Sequence, residues 1–81
     1  MNILFRYIDH NNLPRKAQRQ CPVVPEVNDS VYIVTEDDME YKYTVEEREW
    51  SFNAHPSMDT DLSVTVTLAK DRYNLRQRKN I

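Results

Sequence analysis

Residues 39–52 have the sequence MEYKYTVEEREWSF, and this stretch decides the fold because it has the clearest period-2 alternation of any long segment. Its first half alternates two sets of side chains, with Met39, Tyr41, Tyr43 and Val45 on one side and Glu40, Lys42, Thr44 and Glu46 on the other. Successive side chains of a β-strand point to opposite faces of the sheet. The alternation, together with the β-branched and aromatic content, predicts a half-buried antiparallel strand.

The second half of this stretch breaks the alternation. Continued beyond Val45, a strict period of two would turn Glu47 and Glu49 towards the core. Because burying two carboxylates without partners is costly, we predict a β-bulge or sharp bend near residues 46–48 that resets the phase. A long strand with such a bend suits a small barrel, in which bent strands close the sheet.

Three more segments have the alternation of strands, namely residues 2–9, 31–35 and 62–70. We expect residues 31–35 to form a hairpin with the long strand. Residues 62–70 carry alternating leucine and valine, and we expect them to pair antiparallel with the end of the long strand at residues 48–52. These pairings predict a rolled sheet built mainly from hairpins.

Two segments between these strands are less regular. Residues 13–21 are polar on both sides, which predicts an exposed edge strand protected by proline and charge, with a short helix over residues 15–20 as the alternative. Residues 21–25, CPVVP, contain two prolines and are therefore predicted to be an extended crossing segment. Val23 and Val24 are expected to cover one end of the core.

The chain contains no glycine. Turns that need a positive φ must therefore use asparagine or aspartate, and the candidate turns are residues 10–12, 28–29 and 36–38. The same absence excludes the phosphate-binding loop, the dinucleotide fingerprint and the nucleophile elbow, all of which depend on glycine.

Length and composition indicate one small domain. The 81 residues, 40% of them hydrophobic, are near the lower limit for a self-supporting core, so a homo-oligomer is compatible with this chain. We expect a β domain over residues 1–70 and a basic C-terminal tail over residues 71–81. Without a signal-peptide pattern or an apolar run of about 20 residues, and with Cys21 as the single cysteine, we expect a cytoplasmic protein with no membrane span.

Residues suited to catalysis or metal binding are few. His10 and His55 are the only side chains expected to titrate near neutrality unaided, and neither stands beside a recognisable nucleophile. One cysteine and two histidines do not make a zinc site, and the acids at residues 36–38 lack the length and the glycine of a calcium loop. We therefore predict no enzyme activity, no cofactor and no metal.

The charge is distributed unevenly along the chain. Residues 31–61 carry 2 basic and 9 acidic side chains, whereas residues 62–81 carry 5 and 1. Alternate charges on a strand recur about 6.6–6.8 Å apart, which is comparable with the distance between successive phosphates of a nucleic acid. An acidic sheet face could thus occupy the nucleic-acid-binding groove of a protein partner, with electrostatic steering. The predicted partner-binding residues are Glu36, Asp37, Asp38, Glu40, Glu46, Glu47 and Glu49.

The basic residues support an alternative, direct binding of nucleic acid. Phosphates would be contacted by Arg15, Lys16, Arg19, Arg72, Arg76, Arg78 and Lys79. Bases could stack on Tyr7, Tyr32 and Tyr73 if these rings are exposed. A structural component of a virion is a further alternative.

The order of elements carries a resemblance. An aromatic first strand (NILFRYID) precedes a proline and a turn acid before the next strand (VVPEVNDSVYIV). An aromatic strand with a W-x-F pattern (YKYTVEEREWSF) and an alternating valine strand (LSVTVTLAK) follow. This order resembles uncharacterised small β-barrel accessory proteins of bacteriophages and prophages. The resemblance implies an accessory protein that acts by binding in the cytoplasm of the host cell.

These observations lead to one combined prediction. The fold is all-β, a small antiparallel barrel or rolled sheet of SH3-like or OB-like size, with about five strands and a long bent strand over residues 39–52. The predicted function is non-enzymatic binding of a protein partner, as a phage or mobile-element accessory that inhibits a host nucleic-acid-handling or defence protein through the acidic face.

Overall fold

The structure, a computed structural model, describes the backbone of residues 1–52 and 62–77 and the side chains of residues 1–52 and 62–70. These residues form five strands and no helix. The strands are β1 (Asn2–Ile8), β2 (Pro14–Gln20), β3 (Ser30–Val34), β4 (Met39–Ser51) and β5 (Ser63–Gln77).

The strands form one sheet in the order β2-β1-β5-β4-β3, curled into a half-barrel. The predicted all-β rolled sheet of five strands is confirmed. The sheet is mixed rather than antiparallel throughout, because β1 and β5 run parallel. Side-chain alternation reports which face a residue occupies but not the direction of the neighbouring strand, so this pairing was not predicted.

The core lies on the inner face of the half-barrel, where neighbouring strands place apolar side chains side by side. Ile3 pairs with Val64 across β1 and β5, and Val45 pairs with Leu68 across β4 and β5. The buried set consists of Ile3, Phe5, Tyr43, Val45, Val64, Val66 and Leu68. The removal of each such side chain from water contributes about 1.5–3 kcal/mol to the stability of the fold. The central strand β5 therefore joins the two hairpins into one core.

The predicted bulge in β4 is confirmed and lies at Glu46. Val45 pairs with Leu68 and Glu47 pairs with Thr67, so Glu46 is the extra residue on β4. Beyond it, β4 pairs antiparallel with the start of β5 through Ser51, as predicted. The bulge is what allows a strand of this length to change which side chains it turns inward.

The bulge decides the orientation of the last residues of β4. Directly opposite residues on neighbouring strands have side chains on the same face. Glu47 and Glu49 lie opposite Thr67 and Thr65, on the outer face. Trp50 lies opposite the buried Val64, on the inner face, but half of its surface is exposed because the strand runs past the core.

Strand β5 continues to Gln77, seven residues beyond the end at Lys70 that the alternation predicts. Its last residues pair with the start of β4, where Tyr41 lies opposite Leu75. The register then jumps, since Tyr43 lies opposite Lys70. Charged residues interrupt the apolar alternation in this part of β5. The alternation therefore predicts an end at Lys70, before the observed end of the strand at Gln77.

The turns use asparagine and aspartate where other chains use glycine, as predicted. The positive-φ residues are Asn12 at 62°, Asn28 at 77° and Asp38 at 60°. In the second of these turns the amide of Asp29 donates to the carbonyl of Glu26 at 3.0 Å. Each turn therefore reaches the left-handed region with the residue types that tolerate it best.

Residues 14–20 form an edge strand that pairs with β1 along its whole length, so the alternative of a helix over residues 15–20 is wrong. The prediction for the proline-rich segment is correct for Val24, which packs against the core, and wrong for Val23, which is 72% exposed. The chain bends at Pro22 and Val23, which turns Val23 away from the core while Val24 faces it.

Candidate functional site

Two turns meet at one end of the half-barrel. The turn after β1 and the turn after β3 line the same open cleft, which has a volume of about 520 Å³ and is called the turn cleft below. Its walls carry aromatic, acidic and basic side chains, among them Tyr7, Asp9, His10, Arg15, Asp37 and Tyr41. The fold thus brings together groups from separate hairpins.

Asp9 organises one wall of the turn cleft. Its Oδ1 accepts hydrogen bonds from the amides of Asn11 (2.8 Å) and Leu13 (2.9 Å), and its Oδ2 accepts one from Nε of Arg15 (2.7 Å). The hydrogen bond from Arg15 is the main cause that lowers the pKa of Asp9 from 3.8 to about 2. The carbonyl of Asp9 also accepts from Nζ of Lys70 at 3.0 Å. Asp9 is therefore ionised and engaged in holding the first hairpin closed.

Aromatic rings form the floor of the turn cleft. Tyr7 and Tyr43 meet edge to face with centroids 5.5 Å apart, and the Tyr43 hydroxyl donates to the carbonyl of Ile8 at 2.6 Å. Burial raises the pKa of Tyr43 to about 12. The imidazole of His10 stacks on Tyr41 at 5.0 Å with an interplanar angle of 12°. Tyr43 is buried, so the ring surface that remains accessible in the cleft belongs to Tyr7, His10 and Tyr41.

The opposite wall is acidic. The hydroxyl of Thr35 donates to Asp37, and this hydrogen bond is the main cause that lowers the pKa of Asp37, with a smaller contribution from His10. Arg15 faces this wall with 54% of its side chain exposed. Neither Asp9 nor Tyr43 can exchange a proton near neutrality, so these two groups suit recognition better than acid–base chemistry.

The structure divides the predicted acidic face into separate groups. Glu36, Asp37 and Asp38 lie in the turn between β3 and β4, whereas Glu47 lies beyond the bulge. Glu47 lies nine positions after Asp38, and nine steps along an extended strand correspond to roughly 30 Å. Glu40 lies between them, on the outer face opposite Val34. The seven predicted acids therefore do not form one site.

The acids beyond the bulge form a compact exposed segment. Residues 46–52, EEREWSF, are all exposed, and we call them the distal segment of β4. Glu47 and Glu49 share the outer face, while Trp50 lies on the inner face with 50% of its surface exposed. Phe52 follows at 74% exposure. Carboxylates and large aromatic rings are thus both exposed in this segment, with Trp50 on the face opposite to that of Glu47 and Glu49.

The predicted basic residues are also divided between the two faces. Arg15 and Arg19 lie opposite Tyr7 and Ile3 and therefore on the inner face, whereas Lys16 lies on the outer face. Arg72 and Arg76 fall within β5, and Arg76 lies opposite Glu40. Arg78, Lys79 and His55 lie outside the described residues. The basic residues of β2 therefore lie on both faces of an edge strand.

The three tyrosines proposed to stack on bases have different surroundings. Tyr7 is half-buried in its contact with Tyr43, and Tyr32 on the outer face is 48% exposed. The side chain of Tyr73 lies outside the described side chains.

Two functional features were missed by sequence reasoning. Asp9 follows a strand and precedes two asparagines, which is typical of an aspartate that accepts hydrogen bonds from its own turn, so this pattern could have identified it. Arg6 lies opposite Lys16 on one side and Thr67 on the other, and Thr67 lies opposite Glu47. The outer face therefore changes from basic on β1 and β2 to acidic on β4, a feature that requires the strand order.

Among the described residues, no group of three or more His, Cys, Asp or Glu side chains is placed to hold a metal ion. The same part of the chain contains no helix with the length and apolarity needed to cross a membrane. Cys21 is a free, partly buried thiol.

The fold and these surfaces define a small all-β domain in which one mixed sheet is curled into a half-barrel. No known protein family, curated protein or solved structure matches this chain.

Proposed function

We propose that this chain is a non-enzymatic protein-binding domain that contacts a basic partner through the distal segment of β4. The observation that carries the proposal is the bulge at Glu46, which places Glu47 and Glu49 together on the exposed outer face. Two alternate carboxylates on a strand are about 6.6–6.8 Å apart. This spacing suits a groove that otherwise holds the phosphates of a nucleic acid.

Trp50 supplies the second half of the proposed contact. Exposed tryptophans are among the residues that carry most binding energy at protein interfaces, while charged residues around them set orientation and association rate. Trp50 is 50% exposed and follows directly on Glu49. Because Trp50 lies on the opposite face from Glu47 and Glu49, the partner would contact both sides of the strand, with the carboxylates steering it and the indole anchoring it.

The proposed partner is a host nucleic-acid-handling or defence protein, and the proposed role is inhibition by occupying its basic groove. The order of elements along the chain, which resembles that of phage and prophage accessory proteins, supports this role. The proposal places the protein in the cytoplasm of the host cell.

Charge reversal tests the proposal with a matched control. The variant E47K/E49K changes the net charge by the same amount as E26K/E36K, which alters two exposed acids outside the distal segment. Host proteins are first captured by the chain and then challenged with heparin or duplex DNA. The captured proteins that heparin or duplex DNA displaces are those that bind through a basic groove. We expect E47K/E49K to weaken their capture at least tenfold and E26K/E36K to change it less than twofold. Equal capture by both variants would exclude the distal segment as the contact.

A second candidate function, nucleic-acid binding, is supported by the adjacency of Arg6 and Lys16 on the outer face. Binding through phosphate contacts weakens steeply as salt increases. Titration of labelled single- and double-stranded DNA and RNA at low salt distinguishes the candidates. Tight binding that R6Q/K16Q abolishes would favour this function over the first.

A further inference from the structure

The two edge strands of the half-barrel line one cleft. Strands β2 and β3 stand at opposite ends of the strand order and are not paired with each other. Residues of both strands nevertheless line a cleft of about 220 Å³, which we call the edge cleft. The curled sheet therefore has an accessible recess at the position where a closed barrel would have paired strands.

Apolar side chains of the inner face line most of the edge cleft. Phe5 and Leu68 belong to the buried core, and Tyr7, Val31 and Ile33 are partly buried side chains that pack against it. The recess thus ends on the core itself. Binding pockets for small molecules are typically concave and mostly apolar, with a few polar groups that fix the orientation of the ligand.

Strand β2 contributes two further side chains of the inner face, Ala17 and Arg19. Ala17 lies opposite Phe5 on the neighbouring strand, and its single methyl group leaves the recess open beside that ring. Arg19 follows two residues later on the same face, at a distance of about 6.6–6.8 Å along the strand. A cationic group thus lies next to an apolar recess.

The charge of Arg19 selects the sign of a ligand. Among the described residues that line the edge cleft, Arg19 alone is charged. Its Nη1 donates to the carbonyl of Gln18 at 2.7 Å, a contact with the preceding residue that leaves the guanidinium exposed. A guanidinium has five N–H donors and binds a carboxylate through two parallel hydrogen bonds. The cleft therefore combines an apolar recess with one binding group for an anion.

We propose that the edge cleft binds a small apolar monocarboxylate, such as a medium-chain fatty acid. The hydrocarbon part lies against Phe5 and Leu68, and the carboxylate accepts hydrogen bonds from Arg19. The volume of about 220 Å³ is below the roughly 300–1,000 Å³ of pockets for drug-sized ligands, which restricts the ligand to a short chain. The distal segment of β4 contributes no residue to this cleft, so the inference does not rest on the function proposed above.

Titration of the isotope-labelled full chain with octanoate, followed by NMR, reports both affinity and location. Octylammonium has the same chain with a cationic head, and acetate has the carboxylate without the chain. We expect saturable binding of octanoate, with amide shifts concentrated in β2, β3 and the part of β1 near Phe5. Both controls are expected to bind at least tenfold more weakly. Hexanoate is expected to bind roughly tenfold more weakly than octanoate, because it lacks two methylene groups that the recess would bury.

Two variants of β2 test the charge with a matched comparison. R19Q removes a positive charge from the inner face, whereas K16Q removes one from the outer face of the same strand. With folding verified by circular dichroism, we expect R19Q to weaken octanoate binding at least tenfold and K16Q to weaken it less than twofold. Equal weakening by the two variants would show a nonspecific charge effect and would overturn the proposal.

A second pair of variants tests the recess. A17F places a ring in the edge cleft, whereas Q18F places the same ring on the outer face, because Gln18 alternates with Ala17 along the strand. We expect A17F to abolish octanoate binding and Q18F to leave it within twofold of the wild type. Unchanged binding by a folded A17F variant would place the ligand outside the edge cleft.

Three other results would each overturn the proposal. They are no saturable binding of octanoate by the wild type, equal affinity for octanoate and octylammonium, and amide shifts confined to residues 46–52 of β4.

Discussion

Asp9 closes the first hairpin with three hydrogen bonds to one carboxylate, and a further hydrogen bond from Lys70 to its carbonyl joins that hairpin to the central strand. The aspartate thus connects local turn geometry with the packing of strands that are far apart in sequence. Because both of its carboxylate oxygens accept hydrogen bonds, an asparagine at this position, whose Nδ2 can only donate, cannot reproduce the contact with Arg15.

The pKa of Asp9 predicts how stability depends on pH. The pKa of Asp9 is about 2 in the folded chain and 3.8 in the unfolded chain. Between these two pH values the unfolded state binds more protons than the folded state. The stability that this carboxylate contributes is therefore fully present above its unfolded pKa and is lost as the pH falls through this window. We expect D9N to be less stable than the wild type near neutrality and to lose less stability between about pH 4 and pH 2.

Urea unfolding at several pH values, followed by circular dichroism, measures this difference. The control is E36Q, which makes the same chemical change at an exposed acid in the other turn. If D9N and the wild type lost stability in parallel through the window, Asp9 would not be the carboxylate responsible.

At the scale of the element, β4 behaves as two strands joined by a bulge. Before Glu46 it turns Tyr43 and Val45 into the core, and after it Trp50 takes the inner face while Glu49 faces outward. A shift of one residue in register exchanges the faces of every side chain that follows. The bulge is therefore necessary for Glu49 to face solvent and for Trp50 to lie on the inner face.

Deletion of Glu46 tests this role. Without the extra residue, Val45 and Glu47 become consecutive opposite the consecutive residues Leu68 and Thr67. The glutamates therefore stay outward and the tryptophan inward, and we expect the free energy of unfolding to change by less than about 1 kcal/mol. The substitution E46A, which keeps the residue count, is expected to change it by less than about 0.5 kcal/mol. Deletion of both Glu46 and Glu47 would instead turn Glu49 inward and Trp50 outward, and we expect it to lower the free energy of unfolding by roughly 1–3 kcal/mol. Urea denaturation of the three variants measures the effect, and a double deletion as stable as the single deletion would contradict this role of the bulge.

The features predicted from the sequence are those with local causes. The bulge follows from the cost of burying Glu47, and the turn at Asn28 follows from the lack of glycine. The direction of β1 beside β5 and the continuation of β5 past Lys70 have no local cause, because they depend on which strands meet.

The same limit applies to the candidate site. The charge of Arg15 and the acidity of Glu47 are visible in the sequence, and they led to two proposed surfaces. The stacking of His10 on Tyr41 and the cleft that residues of β2 and β3 line together arise from curling of the sheet. No spacing along the chain encodes them.

At the scale of the whole molecule, stability is concentrated in the middle of the sheet. Strand β5 pairs on both sides and carries three buried side chains, whereas β2 is an edge strand whose residues are mostly exposed. Amide hydrogens exchange through openings whose free energy is highest in the core strands. We expect amides of residues 64–68 to exchange slowest and those of β2 to exchange at least tenfold faster, as measured by hydrogen exchange with mass spectrometry. Equal protection of β2 and β5 would show that the edge strand has a partner in solution.

The parallel pairing of β1 with β5 also determines when this chain can fold. Ile3 reaches its neighbour Val64 only after about sixty intervening residues have left the ribosome. Until then β1–β2 and β3–β4 exist as two hairpins, and an isolated two-stranded hairpin is at best marginally stable in water. Folding of such a nonlocal topology is slow, because the entropy of loop closure is lost before the stabilising contacts form. Strand β5, which is synthesised after the other four described strands, thus completes the core, and a nascent chain that stops before it keeps its apolar faces exposed to solvent and to chaperones.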